Sequence, residues 1–167
     1  MNTSVEAFGT GAKMVRPYLH LTGQEAKIPL DIVFAKGVQL LESCANTDFW
    51  EANWFLGKAY EAMGEYNKSA LRFAMAYAIA TDRKEVIHEY VIALLRINEG
   101  IRAEKVADKI RDSCDPLLRF DFALVMLKSN NIKDALHAID SFDWPFSFQE
   151  NVKRLRNQIT EIAERVQ

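Results

Sequence analysis

The chain has 167 residues, of which 49% are hydrophobic and 26% charged, and its formal net charge is −2. This length and composition are typical of one soluble globular domain with a substantial core. Because basic residues are not in excess, neither nucleic acid nor an anionic membrane is predicted as a partner, and no apolar run is long enough for a transmembrane helix.

The first part of the chain is predicted to contain one main helix. Residues 1–15 lack the charged start and apolar centre of a secretion signal, so we expect a flexible N-terminal segment in a cytoplasmic protein. An N-terminal helical segment follows over residues 16–49, with its main helix over Leu30–Ala45, where apolar residues recur three to four apart. The cysteines Cys44 and Cys114 lie far apart in the sequence, and we expect both to be reduced thiols.

Three pairs of helices are predicted next. The predicted helices cover residues 49–63, 66–80, 83–98, 101–112, 116–130 and 132–141. Asp48, Asp82 and Asp115 are the predicted N-caps of the first helix in each pair. Gly64 and Gly100 are predicted to end the first helix in two of the pairs, because glycine adopts the left-handed conformation without strain.

The helix pairs form an internal repeat with a regular period. The repeats cover residues 50–83, 84–115 and 116–142, with a turn up to residue 146. Three positions are equivalent in all repeats. The first, in the first helix, holds Gly57, Val91 and Ala123; the second and third, four residues apart in the second helix, hold Ser69, Ala103 and Ala135, and then Phe73, Ala107 and Ile139. Moving the register back by one unit places Ala35 at the small-residue position and Gly23 at the glycine position of a helix within residues 16–27. The sequence leaves open whether this segment is a further, degenerate repeat.

Leu56, Gly57 and Tyr60 follow the order L-G-x2-Y, and Phe73 lies in the helix after them. These residues resemble the signature of a tetratricopeptide repeat, with Asn53 standing where the signature has tryptophan. The resemblance implies an all-α fold, a right-handed α-α superhelix of stacked helix hairpins. We expect Gly57 to make room where two antiparallel helices cross, and Phe73 to fill the space between them.

The last segment, residues 147–167, is predicted to be a C-terminal capping helix that begins at Ser147. Its apolar residues recur three and four apart, at Val152, Leu155, Ile159, Ile162 and Val166. A helix with one apolar stripe and one charged face can cover the apolar surface of the last repeat and shield it from water. The alternative is a dimerisation seam, in a homodimer or a self-assembling structural module.

Four aromatic residues precede the C-terminal helix, Phe142, Trp144, Phe146 and Phe148. Large rings bury much area, and these lie at the turn that joins the last repeat to that helix. We interpret them as a hydrophobic plug that fixes the helix, with a ligand pocket or a partner hot spot as the alternative.

The sequence contains no pattern typical of catalysis or metal binding. The histidines His20, His88 and His137 are isolated, and no Cys/His spacing matches a zinc site. A nucleophile elbow, a phosphate-binding glycine loop and an H-E-x-x-H motif are all absent from the sequence. We therefore predict a protein that is not an enzyme and uses no cofactor.

The resemblance implies a non-catalytic protein–protein interaction module that acts as an adaptor, chaperone or assembly factor. A secretion chaperone and a toxin-neutralising immunity protein are alternatives within this class. In tetratricopeptide-like stacks the first helix of each pair lines a concave groove that binds a protein or peptide partner. The predicted groove residues are Glu51, Trp54, Phe55, Lys58, Glu85, His88, Glu89, Ile92 and Asp121. Their aromatic and acidic side chains suit a partner segment with apolar and basic residues. The alternative is that Trp54, Phe55 and the nearby Phe120 of the third repeat do not face the groove but pack inside the chain or against the N-terminal segment.

Overall fold

A computed structural model describes residues 3–20, 32–45 and 49–166, and within these ranges every regular element is helical. The helices are α1 Thr3–Val15, α2 Ile32–Cys44, α3 Trp50–Ala62, α4 Tyr66–Ile79, α5 Lys84–Arg96, α6 Gly100–Ala107, α7 Pro116–Lys128, α8 Ile132–Asp140 and α9 Gln149–Val166. Short 3-10 turns occupy Arg16–Tyr18, Asp108–Ile110 and Phe146–Phe148. The all-α prediction is confirmed.

No described helix combines the length and the apolar character needed to cross a membrane. The chain divides into two compact units, Met1–Ala93 and Leu94–Gln167.

Three of the turns between helices have the same geometry. In each turn one residue adopts the left-handed conformation, and these residues are Gly64 (φ 76°), Asn98 (φ 60°) and Asn130 (φ 60°). The N–H of the following residue donates to a carbonyl five residues earlier, with N···O distances of 2.9 Å for Glu65 to Tyr60, 2.9 Å for Glu99 to Leu94 and 2.8 Å for Asn131 to Met126. This pattern is the Schellman motif, which satisfies carbonyls at a helix end. The left-handed residues follow one another at the same spacing as Gly57, Val91 and Ala123, so the predicted period is present in the backbone.

The start of each first helix follows the prediction in only one case. Asp115 caps α7, because its Oδ1 accepts from the N–H of Leu117 at 2.9 Å, and Pro116 occupies the first helical position. Asp48 lies outside the described residues. Asp82 is not the N-cap of α5, since the helix begins at Lys84. Gly100 does not end α5 either, because Asn98 takes the left-handed conformation and Gly100 is the first residue of α6.

The N-terminal residues form a helix, which corrects the prediction of a flexible segment over residues 1–15. The helix α1 packs against α2 through two buried glycines. A Cβ atom at Gly11 would lie 2.9 Å from the carbonyl oxygen of Gly37, and one at Gly37 would lie 2.7 Å from the Cβ of Met14. Such close contact between helices needs residues without side chains. This contact explains why α1 forms although its glycines have low helix propensity.

The α1–α2 pair contains a helix crossing that the predicted register of a further repeat does not include. Of the helix predicted within residues 16–27, the described part is a 3-10 turn over Arg16–Tyr18, and the remainder from residue 21, with Gly23, lies outside the described residues. The glycine at the helix crossing is Gly11, and it faces Gly37 and Leu41 rather than Ala35. Leu41 lies 3.0 Å from the Cβ position of Gly11, in the same relation that Phe73 has to Gly57.

The pair of α3 and α4 packs as predicted. A Cβ atom at Gly57 would lie 2.6 Å from a ring carbon of Phe73, and the Phe73 side chain is buried. Leu56 and Tyr60, on the same side of α3, belong to the core of the first unit. Gly57 therefore allows the Phe73 ring to lie directly on the backbone of α3.

The C-terminal helix α9 lies against α8 and α7 of the second unit. It begins at Gln149, so Ser147 lies in the preceding 3-10 turn and is not its N-cap. The side chains of Val152, Leu155 and Ile159 are buried, with Ile159 fully inaccessible. A seam between two chains would need these side chains on the surface, and the contacts therefore favour the capping interpretation.

Candidate functional site

An ion-pair cluster in the first unit joins α3 to α5. Lys58 Nζ lies 2.8 Å from Glu61 Oε2 and 3.1 Å from Glu89 Oε1, and the second oxygen of Glu89 is at 3.2 Å. The side chains of Lys58, Glu61 and Glu89 are 18%, 9% and 15% exposed. Burial lowers the pKa of Lys58, but the charge of Glu89 and the hydrogen bonds to both carboxylates raise it, and the net pKa is above its ordinary value. Lys58 is therefore a fixed cation at neutral pH.

Residues predicted to line a groove are half-buried on α3 and α5. We call the half-buried side chains Glu51, Trp54, Phe55, Lys58, Glu85, His88, Glu89 and Ile92 the α3–α5 face. On each helix these side chains are three to four residues apart, which places them on one side. The ion pair between Lys58 and Glu89 brings the two sides together. The ninth predicted residue, Asp121, lies on α7 in the second unit and is only 1% exposed, so its side chain is not open to a partner.

Trp54 is half-buried and packs within the first unit. It packs with Trp50 against a buried cluster of Ala76, Ala80 and Val86. Its ring lies edge-on to Phe55, with centroids 5.2 Å apart. The indole Nε1 is buried and has no hydrogen-bond partner among the described residues. Trp54 is nevertheless half-buried rather than fully buried as a residue.

Phe55 and Phe120 pack within their own units. The Phe8 ring of α1 lies 5.7 Å from the Phe55 ring, and the guanidinium carbon of Arg16 lies 5.8 Å from the Phe55 centroid. Phe120 has the rings of Trp144 and Phe148 at 6.2 Å each. These contacts favour the interpretation in which Phe55 packs against the N-terminal segment and Phe120 packs inside the chain.

Two carboxylates of the α3–α5 face have no counter-ion among the residues that the structure describes. Glu51 and Glu85 are half-buried, and neither has an ion pair or side-chain hydrogen bond with any residue in the described part of the chain. Each lies in the first turn of its helix, where the helix dipole favours a negative charge. The nearby cation Lys58 is already held by Glu61 and Glu89. The face therefore combines a half-buried tryptophan with two acids that have no counter-ion in the described ranges.

The aromatic residues before α9 form a plug in the second unit. Phe142, Trp144 and Phe148 pack together, with ring centroids 4.8 Å apart for the first two and 6.0 Å for the last two. The Trp144 Nε1–H donates to the carbonyl of Ile139 at 2.8 Å. Phe146 is 89% exposed and is not part of the cluster. The plug interpretation therefore holds for three of the four residues.

A polar cleft in the second unit has a volume of about 330 Å³. It is lined by Glu104, Asp108, Arg111, Met126, Ser129 and Asn131. The guanidinium of Arg111 is paired with Asp108 at 3.0 Å and with Asp134 at 3.1 Å, so its charge is compensated within the chain. No group of three or more potential metal ligands exists among the described residues. The cysteines are both free thiols, with Cys44 buried and Cys114 exposed.

Comparison with known proteins assigns no family to the chain. It matches no protein-family model, no curated protein and no solved structure. Its function has therefore to be inferred from the repeated turns and from the contacts of the α3–α5 face.

Proposed function

We propose that this protein is a non-catalytic protein–protein interaction module, built from tetratricopeptide-like helix pairs in a right-handed superhelix. The observation that carries the proposal is the repetition of one turn, with left-handed residues at Gly64, Asn98 and Asn130. The step from Gly64 to Asn98 equals the period of the tetratricopeptide repeat. Helix pairs repeated at this spacing form extended surfaces whose common use is to bind other chains.

Burial at equivalent positions supports the same proposal. The positions that the repeat assigns to helix crossings are buried in all three pairs: Gly57, Val91, Ala123, Ser69, Ala103, Ala135, Phe73, Ala107 and Ile139. The α1–α2 pair adds a fourth crossing with the same relation between a glycine and a large apolar residue, Gly11 and Leu41. A chain with four such pairs has the parts of a repeat array, in the role of a cytoplasmic adaptor, chaperone or assembly factor.

The α3–α5 face is the surface that we assign to the partner. It combines a half-buried tryptophan, which is the type of residue that dominates binding energy at interfaces, with two acids that lack a counter-ion among the described residues. Its residues come from the first helices of two successive pairs, and in the proposed superhelix these helices line the groove. The partner is a protein segment, and no part of the proposed mechanism needs catalysis.

Co-purification from the native host tests this assignment. The tagged protein is compared with a Glu51→Lys/Glu85→Lys variant, in which two charges of the α3–α5 face are reversed. A Glu161→Lys/Glu164→Lys variant is the control, since it makes the same charge change on exposed positions of α9. We expect a stoichiometric partner that is lost from the first variant and retained by the second. A partner retained equally by both variants, with unchanged helical content, would mean that binding occurs elsewhere.

A further inference from the structure

Cations lie over aromatic rings at two places beside Trp54. The guanidinium carbon of Arg83 is 5.7 Å from the Trp50 ring, and that of Arg16 is 5.8 Å from the Phe55 ring. Trp54 touches Phe55 and packs in the same cluster as Trp50. No cation lies over the Trp54 ring among the residues that the structure describes. Within that part of the chain, it is the one of these three adjacent rings that carries no cation.

The two acids without a counter-ion in the described ranges lie on the same face as this ring. Glu51 precedes Trp54 by one helical turn, on the same side of α3. Glu85 lies one helical turn before Glu89 on α5, and Trp54 lies one turn before Lys58, the ion-pair partner of Glu89, on α3. Lys58, four residues after Trp54, cannot neutralise them because Glu61 and Glu89 hold its ammonium group at 2.8 and 3.1 Å. A half-buried indole with two available carboxylates is the chemical complement of a planar cation.

We propose that Trp54, Glu51 and Glu85 receive an arginine side chain from the partner segment. The inference rests on the proposed function and specifies what the partner must carry. A guanidinium group stacks on an aromatic face and pairs with a carboxylate through its fork of N–H donors at the same time. A lysine ammonium group is more strongly hydrated and cannot stack, so it fits this arrangement less well.

Selection from a displayed library of random dodecapeptides tests the inference without knowledge of the natural partner. The immobilised full chain is the target, and the selected peptides are then measured individually by fluorescence anisotropy. We expect an excess of arginine over lysine in the selected peptides. Replacing that arginine with lysine, and separately introducing Glu85→Lys in the protein, should each weaken binding about five- to tenfold, since one cation–π contact and one ion pair are lost.

Control variants separate this inference from the proposed function. Glu161→Lys makes the same charge change on an exposed position of α9 and should leave the affinity unchanged. Because Trp54 also packs internally, Trp54→Phe is used only with circular dichroism to verify the fold. Peptides that depend on Glu85 or Trp54 but show no excess of arginine would overturn the inference and leave the face as a binding site. If no peptide depends on the face, both proposals are wrong. Concentration-dependent dimerisation that Glu85→Lys abolishes would also overturn the inference, because the occupant would then be a second copy.

Discussion

Replacing Gly57 with alanine is expected to destabilise the first unit by up to about 2 kcal/mol, as the balance of overpacking against helix propensity. The added Cβ atom would lie 2.6–2.8 Å from three carbons of the Phe73 ring. The ring has to retreat by about 1 Å to restore an ordinary carbon–carbon contact of about 3.5–4.0 Å. Phe73 is 1% exposed, so it has little space for this movement. Overpacking of this kind costs about 1–3 kcal/mol, and the better helix propensity of alanine offsets about 1 kcal/mol.

Thermal and urea unfolding followed by tryptophan fluorescence measure this loss, because Trp50 and Trp54 lie in the same unit as Gly57. For a protein of this size a loss of that order lowers Tm by up to about 8 °C. Gly9→Ala in α1 is the matched control, since a Cβ atom there meets nothing within 4 Å. The control should raise stability by about 0.5–1 kcal/mol through helix propensity alone. A Gly57→Ala protein as stable as the Gly9→Ala protein would refute the packing.

A double-mutant cycle separates the clash from other effects of the substitution. Phe73→Leu removes most of the ring that the Cβ atom would meet, at the usual cost of a smaller core side chain. If the steric account is right, Gly57→Ala should be less harmful in the Phe73→Leu background than in the parent. Equal effects in the two backgrounds would show that the loss comes from somewhere other than this contact.

Three further predictions concern separate parts of the fold. Asp115→Ala removes the cap of α7 and should cost about 1 kcal/mol in urea unfolding, whereas Asp82→Ala should cost much less because Asp82 is not a cap. Ile159→Ala should cost about 2–4 kcal/mol of unfolding free energy, because it leaves a cavity under α9, and it should leave the mass measured by light scattering unchanged. If α9 were a dimerisation seam, the substitution would instead dissociate a dimer and lower the measured mass. The raised pKa values of Lys58 and Tyr60 predict stability that is complete at neutral pH and falls as pH rises above about 10. Lys58→Met should make Tm less sensitive to pH in that range.

The turns show what local chemistry can predict. The contact of Gly57 with Phe73 and the cap at Asp115 follow from sequence because each depends on residues close to the helix concerned. The end of α5 is harder to predict because both Asn98 and Gly100 tolerate the left-handed conformation, and only the backbone hydrogen bond from Glu99 to Leu94 identifies Asn98. Spacing therefore predicts the repeat more accurately than it predicts which residue makes the turn.

The N-terminal helix cannot be predicted for a different reason. Its glycines lower the intrinsic helix propensity, and the compensation comes from Gly37, which belongs to the next helix in the sequence and contacts Gly11 in space. The same limitation affects the candidate site. The pairing of Lys58 with Glu89 depends on how α3 meets α5, and the packing of Phe8 on Phe55 depends on where α1 lies. Such contacts between distant residues follow from tertiary packing, which a single sequence does not specify.

The departure from the tetratricopeptide signature at Asn53 also has a physical explanation. Asn53 is fully buried, its Nδ2 donates to the carbonyl of Ala45 at 3.1 Å, and its Oδ1 accepts from Arg72 at 3.4 Å. Two periods later the equivalent residue is Arg119, which is also buried and donates to the carbonyl of Ala138 at 3.3 Å and to Ser141 Oγ at 2.6 Å. A tryptophan at either position would leave these buried polar groups without partners, at a cost of about 1–3 kcal/mol each. Each polar residue therefore holds a neighbouring helix end by hydrogen bonds, and the repeated turns form with a polar residue at this position instead of a tryptophan.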